Sequence, residues 1–255
     1  MRNNEMTELV SVVMPVHNAE KYIDVAIQSV IAQTYTNWEL IVVNDGSTDG
    51  SEKIIRQYAS ADARIFLINM ESPSGTPTKP RNEGMKRAHG RYIAFLDSDD
   101  AWFPNKLTEQ IPLFRDEQTA IVYTNYEKMS ESGLRHNRIV VAPQTADYER
   151  LLKGNVIGNL TGIYDTAKTG KRLCRNVHHE DYVLWLSILK EGFIARNTNT
   201  IGGLYRVRDN SVSSSKWKLL PWQWHIYIEI EKTGYLRAMY YYACYALQAI
   251  RKRLI

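Results

Sequence analysis

The amino-acid sequence predicts an α/β protein built on a mostly parallel sheet with helices on both faces. The first 125 residues alternate short β-rich runs with helical patterns, which is the rhythm of repeated strand–helix–strand units. The run at residues 92–96 is apolar throughout, as expected of a strand that is covered on both sides. With 255 residues, of which 44% are hydrophobic, the chain is long enough for one large domain, or for one domain with a C-terminal extension.

The predicted elements of the first half follow one another in a regular order. Strands are expected at residues 10–14, 38–43, 65–68 and 92–96. Helices are expected at residues 19–32, 80–88 and 105–115, and another helix is expected to reach residue 59 from an N-cap at Asp49. Glu52, three residues after Asp49, completes the pattern of a capping box.

The second half is less regular. The pattern predicts a strand at 120–125, a polar hairpin or loop at 127–140, a helix at 182–189, and strands at 193–195 and 203–207. The last forty residues are rich in Trp and Tyr and contain the basic residues Arg251, Lys252 and Arg253. Aromatic rings beside cations are typical of a membrane interface. The same rings are equally expected on a pair of helices that pack against the rest of the domain, so both interpretations stay open.

The charge of the chain is unevenly distributed. The net charge is +4, but residues from 201 onward carry +6 and the first 200 residues carry −2. A basic tail on a slightly acidic body argues against a nucleic-acid-binding protein. The two cysteines form no disulfide framework, and the polar first eight residues lack the apolar core of a signal peptide. The lack of a disulfide framework favours a reducing, cytoplasmic setting. No apolar stretch approaches the roughly 20 residues that cross a bilayer.

An acidic segment, Asp97-Ser98-Asp99, follows the apolar run at 92–96. Two carboxylates this close repel each other unless a cation or hydrogen-bond donors offset their charge. Oxygen ligands of this kind suit a hard divalent ion that is shared with a phosphorylated substrate. An isolated pair more often forms a turn or a helix N-cap, so the neighbouring motifs decide the interpretation.

Two further polar loops follow predicted strands, and the first consists of Pro15, Val16, His17 and Asn18. The second, at residues 44–49, contains Asp45. Because the carboxyl ends of parallel strands meet at one rim, Asp45, Asp97 and Asp99 are expected to converge on one ligand. At the start of a predicted helix, Arg81 adds a planar guanidinium that suits the edge of a base or a phosphate.

Taken in order, these motifs resemble the family 2 glycosyltransferases, which have the GT-A fold with a Rossmann-like central sheet. The resemblance covers residues 10–15, 41–49, 80–84 and 90–100, and it continues through Trp102, Pro104, Lys106, Leu107 and Gln110. The ordered set is specific, although no single piece of it is. Beyond residue 125 the resemblance rests on Glu180, Asp181, Tyr205, Arg206, Ser211 and Ser213.

The resemblance implies a nucleotide-sugar donor, most often a UDP-sugar, and a divalent ion such as Mn²⁺ or Mg²⁺. By its motifs, Asp45 and Arg81 would read the uracil ring, Asp97 would lie near the ribose, and Asp99 would coordinate the metal. Asp181 would be the general base that takes a proton from an acceptor hydroxyl, with inversion at the sugar. The remaining residues expected around the donor, acceptor or phosphates are Pro15, Val16, His17, Asn18, Ser98, Glu180 and Arg206.

Departures from the family pattern refine this interpretation. His17 stands where the family often has Tyr, so it either stacks on the base or serves as a structural hydrogen-bonding residue. The Q-x-x-R-W pattern of processive members is absent after Asp181, which favours transfer of a single sugar. His178 and His179 lack the Cys or carboxylate spacing of a zinc site and are expected to face the acceptor cleft.

The sequence thus predicts a metal-dependent inverting glycosyltransferase at the inner face of the plasma membrane, acting on a glycan or lipid-linked glycan of surface polysaccharide biosynthesis. Residues 1–215 would form the catalytic domain, with a donor part at 9–125 and an acceptor part at 126–215, and residues 216–255 a helical extension. One alternative is a sugar-nucleotide nucleotidyltransferase, which needs a Gly-rich first loop. The other is a non-catalytic nucleotide-sugar or glycan-binding module, which the retention of Asp99 and Asp181 disfavours. A dehydrogenase is disfavoured because no G-x-G-x-x-G follows the first strand.

Overall fold

The computed structural model describes residues 8–208 and 216–254, without the side chains of residues 216–219 and 248–254. Ser211 and Ser213 therefore lie outside the described residues. The same holds for the side chains of the basic cluster Arg251, Lys252 and Arg253.

One sheet holds the ten strands found in the described part of the chain. They are β1 (Val10–Val16), β2 (Trp38–Asn44), β3 (Ile65–Asn69), β4 (Tyr92–Phe95), β5 (Ala101–Trp102), β6 (Thr119–Met129), β7 (Arg135–Val140), β8 (Thr145–Ala146), β9 (Ile163–Asp165) and β10 (Ile194–Arg206). The order is β3-β2-β1-β4-β9-β6-β10-β5, with β7 beside β6 and β8 beside β10. Strands β1 to β4 are mutually parallel, and β9 runs antiparallel between β4 and β6.

Helices cover both faces of this sheet, as the sequence predicts. They are α1 (Ile23–Ile31), α2 (Ser51–Ala61), α3 (Thr78–Arg87), α4 (Lys106–Gln110), α5 (Tyr148–Leu152), α6 (Thr166–Thr169), α7 (Glu180–Leu189), α8 (Lys216–His225) and α9 (Tyr235–Leu254). Successive strand residues point to opposite faces, so Val13 and Ile41 join one hydrophobic cluster while Val12 and Leu40 join another. The predicted α/β class is confirmed.

Several predicted boundaries need correction. The expected capping box is wrong, because the Asp49 carboxylate accepts from the backbone N–H groups of Glu20 and Ser51 while Glu52 pairs with Arg56 at 2.6 Å. The polar hairpin at 127–140 is confirmed as the β6–β7 pair. The two strands expected at 193–195 and 203–207 are one strand, β10, whose register against β6 shifts at Asn197 and Ile201. That irregularity explains why two short strands were predicted.

Helix α3 lies directly on the first two strands of the sheet. A Cβ added at Gly84 would lie 2.5 Å from Cγ1 of Val13 and 3.3 Å from Cγ2 of Val43. Only glycine permits this close approach of helix to strand. The start of α3, which carries Arg81, is therefore held at a fixed height above the carboxyl ends of β1 and β2.

The C-terminal extension packs into the core of the sheet. Ile226, Tyr227, Ala238 and Tyr241 are buried within the same hydrophobic cluster as residues of β1 and β4. This finding favours the packed-helix interpretation for the inner face of the extension. Among the described residues, no helix combines the length and apolar character that a bilayer span requires.

Candidate active site

The two loops that follow β1 and β2 are tied to each other at one rim of the sheet. The backbone N–H of Asp45 donates to the carbonyl of Val16 at 2.8 Å, and His17 Nδ1 donates to the carbonyl of Asp45 at 2.7 Å. Pro15 and Val16 are buried within β1, whereas His17 and Asn18 are exposed. Of the first loop, only the last two residues therefore present their side chains at the surface of the rim.

The Asp45 carboxylate is held by a third loop. Its two oxygens accept from the backbone N–H of Ser74 at 2.8 Å and from the Ser74 hydroxyl at 2.7 Å. Asp45 is only 5% exposed. The next residue, Gly46, has a φ of 61° and packs against Pro73. A Cβ added at Gly46 would lie 2.7 Å from Pro73 Cδ, so the close approach of the two loops requires glycine. The sequence motifs do not reveal that Ser74 fixes Asp45.

Arg81 occupies the centre of the site and is almost fully buried. One guanidinium nitrogen donates to Asp97 at 2.7 Å, and another donates to Glu180. The side chain of Arg81 is 4% exposed. These contacts join the acidic loop after β4 to the first turn of α7, and they differ from the base-reading contact that the motif implies.

Asp97 has a second partner that sequence reasoning missed. Asn159, in a short 3₁₀ helix at Asn159–Thr161, donates its amide to both carboxylate oxygens at 3.3 and 3.2 Å. The Asp97 side chain remains 36% exposed, and Ser98 is half-buried beside it. One edge of Asp97 is thus anchored while part of the carboxylate stays accessible.

Asp99 lies deeper among charged neighbours. Burial raises the pKa of the Asp99 carboxyl, the negative charge of Asp97 raises it further, and Arg208 opposes the shift. Arg208 approaches Asp99 to 3.4 Å, and its side chain is 47% exposed. The next carboxylate, Asp100, accepts from the backbone N–H of Arg206 at 2.8 Å, and burial raises its pKa well above the usual range.

Arg206, expected to contact the acceptor or a phosphate, is held by contacts within the protein. It is 7% exposed, and it donates to the carbonyl oxygens of Asp99 at 2.7 Å and Glu131 at 2.9 Å. Its guanidinium carbon also lies 4.8 Å from the ring centre of Tyr22. These contacts bury the guanidinium of Arg206, whereas the side chain of the nearby Arg208 is half exposed.

Asp181, the expected base, lies in the first turn of α7 next to Glu180. Burial raises the pKa of Asp181 to about 7, the charge of Glu180 adds to the shift, and Arg81 opposes it. Its hydrogen-bond partner is the amide of Asn155, at 3.5 Å. A carboxylate with a pKa near neutrality is suited to accept a proton, as a general base does.

The segment before α7 contacts the C-terminal extension. The His178 ring stacks on Trp222 with 3.6 Å between ring centres, and His179 meets the same indole edge-on. His179 has a φ of 60°, and burial lowers its pKa. Of the two histidines expected to face an acceptor cleft, His178 is exposed and His179 is half-buried.

The residues at the rim fit a divalent cation that is shared with a substrate. Among the described residues, no group of three or more His, Cys, Asp or Glu side chains is arranged to enclose a metal. Asp99 offers oxygen ligands beside a second carboxylate, the donor type that Mn²⁺ and Mg²⁺ prefer. One protein carboxylate completed by phosphate oxygens is the arrangement common for such ions on nucleotides.

Sequence reasoning missed four residues that shape this site. They are Ser74, Asn155, Asn159 and Arg208. None of the first three belongs to a motif, and only the fold brings them to the rim. Arg208 follows Tyr205 and Arg206 by a few residues, so its proximity to the family motif was the available signal.

Solved structures of other proteins share this fold. A structure of S. aureus TarS 1-349 in complex with UDP-GlcNAc has a TM-score of 0.68 at 21% identity, covering 86% of this chain and 66% of that chain. The mannosyltransferase PcManGT from Pyrobaculum calidifontis in complex with GDP-Man and Mn²⁺ has a TM-score of 0.70 at 16% identity, covering 91% and 69%. The architecture is therefore that of a GT-A protein.

Sequence comparison identifies the family. Residues 11–172 match the model of glycosyl transferase family 2. The chain is 39% identical to the putative teichuronic acid biosynthesis glycosyltransferase TuaG of Bacillus subtilis, covering 96% of this chain and 98% of that protein. It is 41% identical to the glucosyltransferase WfgD of Escherichia coli, covering 96% and 94%. The chain belongs to glycosyl transferase family 2 and is an enzyme of that family, which disfavours the nucleotidyltransferase and the binding module.

Proposed function

We propose that this enzyme is a metal-dependent, inverting glycosyltransferase that moves one sugar from a UDP-sugar to a lipid-linked glycan of surface polysaccharide biosynthesis. The observation that carries this proposal is the cluster of Asp97, Arg81, Glu180 and Asp181. In this cluster Arg81 joins the acidic loop at 97–99 to the segment of Asp181, whose carboxyl has a pKa of about 7. The relative WfgD is named a UDP-Glc:α-D-GlcNAc-diphosphoundecaprenol β-1,3-glucosyltransferase, which supports both substrate classes.

The donor part of the site comprises the rim loops within residues 9–125. Asp45 accepts a hydrogen bond from the uracil ring, the exposed His17 ring lies against the base beside Asn18, and Asp97 and Ser98 contact the ribose. Asp99 holds the divalent ion, Mn²⁺ or Mg²⁺, which when bound supplies Lewis-acid neutralisation of the diphosphate. Arg208 adds a half-exposed cation for the phosphates, supported by its 3.4 Å distance to Asp99.

The acceptor part lies within residues 126–215 and supplies the base. Asp181 accepts the proton of the acceptor hydroxyl as that oxygen attacks the anomeric carbon. Because the hydroxyl attacks from the face opposite the departing diphosphate, an α-linked donor yields a β-linked product. Glu180 contributes by holding Arg81 next to the base, and the half-buried position of Asp181 limits its exposure to water.

A transfer assay tests the proposed function directly. Purified protein is incubated with a panel of UDP-sugars, beginning with UDP-glucose, and a synthetic α-GlcNAc diphosphate lipid in the presence of Mn²⁺. We expect one sugar to be added, detected by mass spectrometry, and a β-linkage shown by the NMR coupling of the anomeric proton. An α-linked product would contradict inversion, and a series of longer products would contradict single-sugar transfer.

We expect Asp45→Ala to weaken UDP binding by roughly 1–3 kcal/mol, because the uracil group that donates to Asp45 in the proposed complex is left without an acceptor. Isothermal titration calorimetry with UDP measures the change. Asp62→Ala is the matched control. Asp62 pairs with Arg64 and precedes β3, so it lies at the amino ends of the parallel strands, away from the rim that carries Asp45. Equal affinity of the Asp45 variant and the wild type would remove Asp45 from the donor site.

We also propose that the outer face of α9 binds an anionic membrane surface, which would place the enzyme at the inner face of the plasma membrane. Leu236, Met239, Tyr240 and Leu247 are 85%, 60%, 55% and 61% exposed. Their spacing of three, four and seven residues places them on one helical stripe. The basic cluster Arg251, Lys252 and Arg253 would add on the order of 1 kcal/mol per residue near anionic lipid, weakened by salt.

The triple variant Leu236→Ser/Met239→Ser/Leu247→Ser is expected to lose sedimentation with phosphatidylglycerol vesicles at low salt, because the apolar stripe is removed. Substitutions on the surface of α9 test vesicle binding without disturbing the core. A truncation after Thr233 would not do so, because it would also remove the buried residues Ala238 and Tyr241. The triple variant Val25→Ser/Phe66→Ser/Val141→Ser is the control, as these residues are exposed elsewhere. Equal sedimentation of both variants would contradict the membrane role of α9.

A further inference from the structure

The buried arginine of α3 joins two parts of the chain that are distant in sequence. Asp97 lies 16 residues after Arg81, and Glu180 lies 99 residues after it. The Glu180 side chain is 13% exposed, so one charge pair is almost entirely removed from water. A planar guanidinium presents several donors in a fixed fork and is suited to hold two carboxylates at once.

A second contact from the same helix supports this connection. The Asn82 amide donates to the carbonyl of Cys174 at 2.9 Å, and its oxygen accepts from the backbone N–H of Cys174 at 2.8 Å. Cys174 lies in the segment that leads to Glu180. Since Gly84 seats α3 firmly on β1, consecutive residues Arg81 and Asn82 fix the base segment relative to the sheet.

From this geometry we infer that Arg81 is a positioning residue that couples the donor loop to the catalytic base through its simultaneous contacts with Asp97 and Glu180. The inference rests on the proposed role of Asp181 as the base. It gives Arg81 a function different from reading the uracil ring. Without the guanidinium, Asp97 and Glu180 would lose the cation that pairs with both of them.

The charged groups around Asp181 come from four parts of the fold. Glu180 lies beside it on α7, Arg81 belongs to α3, and Asp97 follows β4. In the preceding segment, burial raises the pKa of the Cys174 thiol to about 12 and lowers the pKa of His179, so both are neutral at pH 7. Arg81 therefore supplies the positive charge that favours deprotonated Asp181, and Glu180 supplies the largest opposing charge.

Two substitutions at this pair have effects of opposite sign. Arg81→Gln removes the favourable charge, so the midpoint of Asp181 titration should move to higher pH by about one unit. Glu180→Gln removes the unfavourable charge, so the midpoint should move to lower pH. Arg81→Lys keeps the charge but loses the fork, so it should hold the midpoint near the wild-type value while kcat falls about 10- to 100-fold.

The experiment measures Asp181 without requiring substrate. Protein labelled with ¹³C at the Asp carboxyl carbons is titrated by NMR, and Asp181→Asn identifies the signal. Opposite shifts in Arg81→Gln and Glu180→Gln are the expected result, and an unshifted signal in both would overturn the inference. If Arg81→Gln does not fold, an Arg81→Lys variant with wild-type kcat would overturn it instead.

The same variants separate this inference from the proposed function. The pH dependence of kcat/KM is recorded with UDP-glucose and the α-GlcNAc diphosphate lipid. An acidic limb that persists in Asp181→Asn would reject Asp181 as the base, while the NMR shifts would still decide the role of Arg81. The proposed function and the role of Arg81 are both supported if the acidic limb of kcat/KM disappears in Asp181→Asn and, in the other variants, moves together with the NMR midpoint of Asp181.

Discussion

Asp181→Asn is expected to reduce kcat by about 10²–10⁴-fold while leaving UDP binding unchanged. The amide keeps the size and shape of the carboxylate but cannot accept a proton from the acceptor hydroxyl. Burial and the neighbouring Glu180 charge raise the pKa of Asp181 to about 7, so the wild-type group takes up a proton near neutral pH. Steady-state kinetics give the loss of kcat, and calorimetry with UDP gives the donor affinity.

The sign of the pH dependence provides a second test of the same residue. Only deprotonated Asp181 accepts a proton, so wild-type activity should rise with pH through about 7 and level off above it. This acidic limb should be absent in Asp181→Asn. A loss of turnover below about tenfold would mean that the base lies elsewhere, and Glu180 would be the next candidate.

Local sequence patterns predict the first half of the fold because each strand there is a separate apolar run. Strands β1 to β4 fall within one or two residues of the expected ranges, and the polar loops after β1 and β2 meet at one rim. Parallel topology alone places the carboxyl ends of these strands together. The position of Asp45 at the rim therefore follows from the apolar strand patterns and from the place of its loop directly after β2.

The partners of the site residues do not follow from local patterns. Arg81 and Glu180 are separated by 99 residues, and Asp97 and Asn159 by 62, so only the assembled sheet brings them into contact. A motif also identifies the residue type at a position, but it does not show whether the side chain there is buried or exposed. Arg206 belongs to the motif yet is buried, whereas Arg208 lies outside it and is half exposed.

The aromatic extension shows a similar limit. Tyr241 is 2% exposed and Tyr240 is 55% exposed, although they are neighbours of the same residue type. Composition predicts both a packed helix and a membrane contact, and helical geometry allows one helix to use a different face for each. The inner face packs on the sheet, and the outer face is the one proposed for lipid.

Asp99→Ala is expected to abolish transfer, because the charge that develops on the departing diphosphate loses the ligand that we propose for its neutralising cation. The fold should remain intact. Burial and repulsion from Asp97 both raise the pKa of Asp99, so the native state gains no stability from its ionised form, and thermal unfolding at pH 7 should occur at the wild-type temperature or above it.

Metal binding can be separated from activity by measuring free Mn²⁺ with electron paramagnetic resonance in the presence of UDP. The wild type should bind the ion, Asp99→Ala should not, and Asp100→Asn is the adjacent control. Asp100 is 2% exposed and accepts from the backbone of Arg206, a contact that Asn preserves, so its variant should bind Mn²⁺ normally. Because the control changes the adjacent side chain in the same loop, a loss of Mn²⁺ binding confined to Asp99→Ala identifies Asp99 as a ligand and not a general disturbance of the loop. Full transfer activity of Asp99→Ala, or of the wild type in excess chelator, would contradict the metal role.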